Sequence, residues 1–233
     1  MENALTAELR KLLLQSGADL VGVGDLRSLP EDQRLGLPLG VCVAVKFPKE
    51  VIRGIGELPT PAYKQWYDSL NQKLDGLVSL GAELLESRGF RAQAQTRAQV
   101  GQYGPECLTR LPYKTVATRA GLGWIGKCAL LVTEEYGSMV RLSTILTDAP
   151  LTPAQPVQSS RCGGCTVCRD ACPAGAILGN SWGPGVERSG LFDHRKCEEE
   201  AQNRSERGFG ERVTICGKCI EVCPYTRRYL GNP

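Results

Sequence analysis

The chain has 233 residues, of which 28 are lysine or arginine and 25 are aspartate or glutamate, so its formal net charge is +3. These charges are spread along the sequence, which disfavours a basic block of the kind that binds a phosphate backbone. No window reaches about 18 apolar residues, and the N-terminal residues alternate charge with leucine. The sequence therefore predicts a cytoplasmic protein without a membrane span or a targeting segment.

The first half of the chain predicts alternating helices and strands. Leucines recur at helical spacing from Leu5 to Leu13, and Gly17 follows as a helix stop. A short strand is predicted at residues 20–23, and a buried strand at residues 40–47, where a continuous apolar run ends before a proline. Further elements are a long helix that begins at Thr60-Pro61, a half-buried strand at 90–96, and a hairpin of strands 128–133 and 139–147.

A stretch rich in proline, residues 149–160, separates these elements from a region dominated by cysteine. Such stretches are typical of domain boundaries. We therefore predict an α+β protein, in which an α/β cofactor- or substrate-binding domain at residues 1–155 precedes a bacterial ferredoxin-like double 4Fe-4S domain at residues 156–233.

Eight of the eleven cysteines lie in this C-terminal region. The first four form the run C-x2-C-x2-C-x3-C, followed by Pro173, which is typical of bacterial 4Fe-4S clusters. A shortened copy follows and ends in Cys223-Pro224, with Cys197 alone between the two runs. Disulfides and zinc are the alternatives; the spacing and the odd cysteine total disfavour disulfides, and the doubled Cys-Pro run disfavours zinc.

Eight thiolates complete two ligand sets. In two-cluster ferredoxins the last cysteine of each run serves the other cluster. This crossing predicts one set of Cys162, Cys165, Cys168 and Cys223, and a second set of Cys172, Cys197, Cys216 and Cys219. A free-standing ferredoxin would not need the roughly 155 residues that precede the clusters, so the N-terminal part must bind whatever the electrons serve.

A glycine-rich segment at residues 121–126 matches the dinucleotide motif G-x-G-x-x-G. That motif must follow a strand and open a helix, whereas a helix is predicted before it and a strand after it. We therefore interpret these glycines as a tight turn or as a place where backbone passes close to a cofactor. Lys114, Arg119 and Lys127 flank the turn, either to meet anionic groups or as solvated surface charges. Among the three other cysteines, Cys42 and Cys128 are predicted core residues, and Cys107 a loop residue.

The stretch from Arg119 to Lys127, the segment Leu146-Thr-Asp-Ala-Pro-Leu151 and the order of the eight cysteines resemble the epoxyqueuosine reductase family. Members of that family are cobalamin-dependent iron-sulfur enzymes of tRNA queuosine synthesis, related to reductive dehalogenases. The resemblance implies a short form without a C-terminal helical-repeat domain. It also implies a corrinoid, bound base-off over the N-terminal domain and reduced by the nearer cluster. The residues predicted to contact this cofactor are Lys114, Arg119, Gly121, Gly123, Trp124, Gly126 and Lys127.

The chain departs from the family pattern at its catalytic aspartate. Counting thirteen residues back from Ala120 arrives at Cys107, beside Glu106, and no aspartate stands there. We therefore predict Cys107, Glu106 or Tyr113 as the proton donor of a reductase that acts on a small-molecule substrate or a corrinoid. Its electrons would come from an external flavodoxin or ferredoxin, and a tRNA substrate is left open. The alternative is a two-cluster electron carrier that docks a redox partner and has no substrate of its own.

Overall fold

A computed structural model describes residues 2–101 and 109–231, and the chain divides into two compact units, each discontinuous in sequence. The sheet unit comprises Met1–Val45, Leu70–Leu122 and Arg141–Val157. The cysteine unit comprises Lys46–Ser69, Gly123–Val140 and Gln158–Pro233. Compactness alone does not define a domain, so the domain division at residues 155 and 156 stays a prediction. The mixture of helices and strands confirms the predicted α+β class.

Four strands form the main sheet, in the order β1-β2-β6-β3. Strand β1 pairs antiparallel with β2, and β3 pairs antiparallel with β6. The apolar run of β2 is completely buried from Val41 to Val45, which confirms the predicted buried strand. The strands are β1 (Leu20–Asp25), β2 (Leu39–Lys46), β3 (Ala92–Gln95) and β6 (Val140–Thr147).

Helices accompany this sheet and begin at recognisable caps. The Asn3 side chain accepts a hydrogen bond from the Thr6 backbone at the start of α1, and Thr60 Oγ1 accepts one of 3.2 Å from Tyr63 N at the start of α3. Both predicted helices are therefore confirmed. The helices are α1 (Ala4–Gln15), α3 (Pro61–Ser87) and α4 (Tyr113–Arg119).

The cysteine unit has little regular structure among its described residues. Its two-stranded sheet pairs β4 with β5, and most of its helices are single turns. Its elements are α2 (Lys49–Arg53), β4 (Trp124–Ile125), β5 (Leu131–Val132), α5 (Val167–Asp170), a 3-10 turn (Arg188–Gly190), α6 (His194–Phe209), α7 (Lys218–Glu221) and α8 (Pro224–Leu230). No helix in the described ranges is both long enough and apolar enough to cross a membrane.

The predicted hairpin of residues 128–147 is wrong in its strand pairing. The turn exists, because Thr133 and Gly137 exchange backbone hydrogen bonds of 2.9 and 3.1 Å. However, β5 pairs with β4, and β6 pairs with β3 in the main sheet. Strand β6 is eight residues long and mostly buried, which suits a strand inside the larger sheet, whereas the two residues of β5 suffice only for a short pairing.

Candidate metal centre

A cavity of about 150 Å³ lies within the cysteine unit. Its wall contains thiols from both cysteine runs and one from the glycine-rich segment. The cysteines that line it are Cys128, Cys162, Cys165, Cys168, Cys219 and Cys223. The first three cysteines of the first run are therefore brought together with the last cysteine of the second run, which is distant in sequence.

Local structure explains how these thiols reach one cavity. The backbone N–H of Cys165 donates to the carbonyl of Cys162 at 3.0 Å, which closes a tight turn and brings the first two thiols to one loop. Cys168 follows on the single turn α5. Cys223 is the N-cap of α8, with Pro224 in the first turn, and its thiol lies close enough to Cys162 for their charges to interact.

A second group of thiols forms around α6. Cys197 lies on this helix, and burial together with the nearby thiols of Cys172 and Cys216 raises the pKa of Cys197 to about 11. The backbone N–H of Ala176 donates a hydrogen bond of 3.4 Å to Cys172 Sγ. Seven of the eight thiols are grouped as the crossed assignment requires, whereas Cys219, assigned to the second set, lines the first cavity. The assignment of each cysteine as a ligand stays a prediction.

The arrangement of the thiols suits a cluster better than a single ion. Among the described residues, no three side chains of histidine, cysteine, aspartate or glutamate come close enough together to hold one metal ion. Zinc binds its thiolates about 2.3 Å from one centre, whereas a 4Fe-4S cluster takes one thiolate at each of its irons. The thiols that line the cavity of about 150 Å³ are compatible with the larger group.

Gly126 keeps the cavity wall open next to these thiols. A Cβ atom at this position would lie 3.6 Å from Cys128 Sγ, 3.7 Å from Cys162 Sγ and 2.8 Å from Cγ2 of Val132. A side chain here would crowd Val132 and occupy space beside the two sulfurs. The sequence predicted either a tight turn or a close approach of backbone to a cofactor for the glycine segment, and a cofactor contact of Gly126 stays a prediction.

Lys127 also belongs to the cavity, and it is 6% exposed. Its Nζ donates to the carbonyl of Cys165 at 2.9 Å, so the ammonium group is held beside the loop of the first cysteine run. Four thiolates concentrate negative charge around the cavity, and a buried cation beside one of their loops offsets part of that charge. The lysine is thus placed to serve a cluster.

The other residues predicted to contact a corrinoid are engaged by the chain's own atoms. Arg119 donates to the carbonyl of Asp25 at 3.0 Å and to Ser28 Oγ at 2.8 Å. A Cβ atom at Gly121 would lie 2.9 Å from the carbonyl of Gln155. The Cβ position of Gly123 is filled by the backbone of Val132. Trp124 is 1% exposed and packs edge-on against Tyr225. Lys114 lies on α4 and also interacts with other residues of the chain. These residues fit structural roles, and we derive no corrinoid contact from them.

Of the three predicted proton donors, Cys107 and Glu106 lie outside the described residues. Tyr113 lies at the start of α4, and its hydroxyl donates to the carbonyl of Gln95 at 2.6 Å. Ser143 Oγ donates to the same carbonyl at 2.8 Å. Burial raises the pKa of Tyr113, so the phenol keeps its proton at neutral pH. The residue stays a prediction as a proton donor.

Cys128 is the cavity residue that the sequence did not assign to the site. It is buried, as predicted for a core residue, but it also lines the cavity that Cys168 and Cys219 line. The sequence signal that could have placed Cys128 at the cavity is its position directly after Gly126 and Lys127, which also line it. By contrast, Cys42 is completely buried in β2, and burial raises its pKa well above the ordinary value, which confirms a core role.

Comparison with known proteins supports the cluster assignment. Residues 161–226 match the family model of a 4Fe-4S double cluster binding domain. This region therefore binds two 4Fe-4S clusters. The epoxyqueuosine reductase of Bacillus cereus is 36% identical over 122 residues, which cover 48% of this chain and 28% of that relative. The chain is thus similar to epoxyqueuosine reductases over about half of its length.

Solved structures show that an epoxyqueuosine reductase and a reductive dehalogenase share the fold of this chain. An epoxyqueuosine reductase in complex with a tRNA stem loop superposes with a TM-score of 0.63 at 22% identity, covering 96% of this chain and 65% of that one. A reductive dehalogenase, whose structure suggests a mechanism for B12-dependent dehalogenation, gives 0.72 at 19% identity and covers 94% and 31%. The chain thus spans less than a third of its Bacillus cereus relative, and about two thirds of the reductase structure.

Proposed function

We propose that this chain is an iron-sulfur reductase, in which two 4Fe-4S clusters pass electrons one at a time to an acceptor held by the N-terminal part. The observation that carries the proposal is the cavity that gathers Cys162, Cys165, Cys168 and Cys223 from two distant runs. The sequence similarity to epoxyqueuosine reductases supports a reductase activity that uses these clusters. An external flavodoxin or ferredoxin would supply the electrons.

In this proposal the chain's own residues position and insulate the clusters. Each cysteine of the two thiolate groups would bind one iron. Because each ligand set takes cysteines from both runs, the clusters would link the two cysteine loops. The ammonium of Lys127 offsets negative charge next to Cys165, which favours the reduced state of the nearer cluster. The clusters supply one-electron transfer, and their potentials depend on such charges and on hydrogen bonds to sulfur.

The acceptor is proposed to be a corrinoid or the substrate itself. A corrinoid is supported by the family resemblance and by the similarity in fold to a dehalogenase described as B12-dependent. The proposed substrate is an epoxyqueuosine-modified tRNA, which is supported by the relatives' name and by the neighbour solved with a tRNA stem loop. A small-molecule substrate is the alternative.

The second candidate is an electron carrier without a substrate of its own. It is favoured by two observations. The side chains predicted to meet a corrinoid, such as Arg119, are engaged by the chain itself. In addition, Cys107 and Glu106 stand where the family carries its aspartate.

An anaerobic titration of the iron-loaded protein with cob(II)alamin distinguishes the candidates. Electron paramagnetic resonance reports whether the corrinoid binds with its base off. A stoichiometric base-off signal supports the corrinoid-dependent reductase. No binding, followed by turnover of an epoxyqueuosine-containing stem loop with dithionite, supports direct reduction by a cluster. Neither binding nor turnover, with both clusters intact, leaves the carrier.

The proton donor is tested separately in whichever reductase assay succeeds. The double variant Cys107→Ser with Glu106→Gln removes two of the three proposed donors, and Tyr113→Phe removes the third. We expect at least a tenfold loss of turnover in one of the two variants, since general acids contribute roughly 100-fold or more. Full turnover in both would place the donor elsewhere.

A further inference from the structure

Cys128 is a ninth thiol beside two sets of four. It lines the same cavity as the first run, and it is 8% exposed. Its sulfur lies next to the same Gly126 position as Cys162 Sγ, at 3.6 Å against 3.7 Å. The eight other cysteines of the region already complete two ligand sets, so Cys128 is not needed to hold iron.

Cys128 lies beside members of both predicted ligand sets. It lines one cavity together with Cys168, assigned to the first cluster, and Cys219, assigned to the second. The helices that carry these two residues, α5 and α7, pack against each other in the cysteine unit. One unligated sulfur therefore shares a cavity with predicted ligands of both clusters.

Ligation decides which atom carries the proton in these contacts. A cysteine that binds iron does so as a thiolate and has no proton to donate. Once Cys168 and Cys219 are ligands, any S–H···S hydrogen bond at this point must be donated by Cys128. The single S–H can be directed at only one of the two sulfurs at a time.

We propose that Cys128 remains unligated and donates its S–H to a cluster ligand, Cys168 or Cys219, thereby raising the reduction potential of that cluster. Reduction adds one negative charge to the cluster, so a hydrogen-bond donor to its sulfur stabilises the reduced state more than the oxidised state. In this role Cys128 would change the electrostatic environment of the cluster without binding iron. The inference depends on the presence of the clusters but not on the acceptor of their electrons.

The variants Cys128→Ser, Cys128→Val and Cys128→Ala separate the hydrogen bond from packing. Serine keeps a donor, valine fills the space without a donor, and alanine is a second donor-free variant in case valine does not fit. Cys42→Ala, in the core of the sheet unit and outside the cavity, is the matched control. Each protein is loaded with iron and assayed for iron content, and both potentials are measured by a redox titration followed by electron paramagnetic resonance.

We expect about eight irons per chain in every variant. In the donor-free variants we expect a roughly tenfold smaller equilibrium constant for reduction of one cluster, which is about 59 mV for a one-electron couple. Serine should retain most of the wild-type potential, and Cys42→Ala should not change it. Eight irons with unchanged potentials in the donor-free variants would overturn the proposal. A fall to about four irons would also overturn it, because Cys128 would then be a ligand. The titration needs no corrinoid or substrate, so it is independent of the proposed reductase activity.

Discussion

The sheet unit and the cysteine unit are ordered by different means. In the sheet unit, strand β2 is buried along its whole apolar run, and α1 and α3 contribute further buried leucines. In the cluster-binding segment, residues 161–226, the buried apolar residues are few: Ala176, Ile177, Leu191, Ala201, Ile215, Val222 and Cys223. Apolar burial can hold the sheet unit together, whereas we expect residues 161–226 to need bonds to iron to fix their loops.

Removal of iron should give the largest effect and should affect the two units unequally. Chelation under reducing conditions takes away the bonds that replace a core in residues 161–226. We expect amide exchange in that segment to become roughly a hundredfold faster or more, while β2 and β6 stay protected. Hydrogen exchange by mass spectrometry of the full chain measures both. Equal loss of protection in β2 would show that the sheet unit also depends on iron.

A cavity in the sheet core should show the reverse pattern. Ile145 of β6 is completely buried, and Ile145→Ala should lower the free energy of unfolding by about 2–5 kcal/mol. Leu14→Ala, at a position 41% exposed on the same unit, is the control and should cost less than about 0.5 kcal/mol. Denaturation followed by circular dichroism measures stability, and iron content should not change. Loss of iron in the Ile145 variant would contradict the expectation that the sheet unit and residues 161–226 are stabilised separately.

The contact between the turn at residues 133–138 and α8 offers an intermediate effect within the cysteine unit. Thr226 is completely buried, and its Oγ1 accepts a hydrogen bond of 3.1 Å from Ser138 N. Thr226→Val keeps the shape but leaves the N–H without this partner, which should cost about 1–3 kcal/mol. Thr226→Ser keeps the hydroxyl and is the control. The midpoint temperature at which the cluster absorbance is lost compares the two; equal midpoints would mean that the hydrogen bond contributes nothing.

The smallest effect is expected at Tyr113 in the sheet unit. Tyr113→Phe removes the hydrogen bond to the carbonyl of Gln95 and should cost about 1 kcal/mol at neutral pH. Burial raises the pKa of Tyr113, so ionisation is disfavoured in the folded state. The advantage of tyrosine should therefore shrink as the pH rises above about 10, where the unfolded phenol ionises. Denaturation of both proteins at pH 7 and pH 10.5 tests this, and a constant difference would contradict it.

The sheet unit was predictable where one pattern dominates. Helices α1 and α3 follow from leucine spacing and from the cap at Thr60, and β2 follows from an uninterrupted apolar run. The partner of β6 was not predictable, because a turn at residues 133–138 says that the chain reverses but not which sheet each strand joins. Pairing between distant strands depends on tertiary packing that local sequence does not encode.

The cluster site was predictable from spacing because thiolates around a cluster must come from fixed intervals in a short loop. The surroundings of the thiols were not predictable in this way. Cys128 shares no interval with either run, and only the fold brings it to Cys168. Likewise, Arg119 and Lys127 both flank a glycine turn in the sequence, but only the structure shows that the first binds backbone near Asp25 and the second binds the loop of Cys165.

The crossing of the two cysteine runs is tested most directly by removing the last cysteine of each. Cys223→Ser and Cys162→Ser should each lose the same cluster, and Cys172→Ser should lose the other, with iron falling from about eight to about four per chain in each case. Electron paramagnetic resonance of the reduced proteins identifies which cluster remains. The account predicts matching spectra for the Cys223 and Cys162 variants and a different spectrum for the Cys172 variant. Matching spectra for the Cys162 and Cys172 variants would contradict it, because each run would then hold its own cluster.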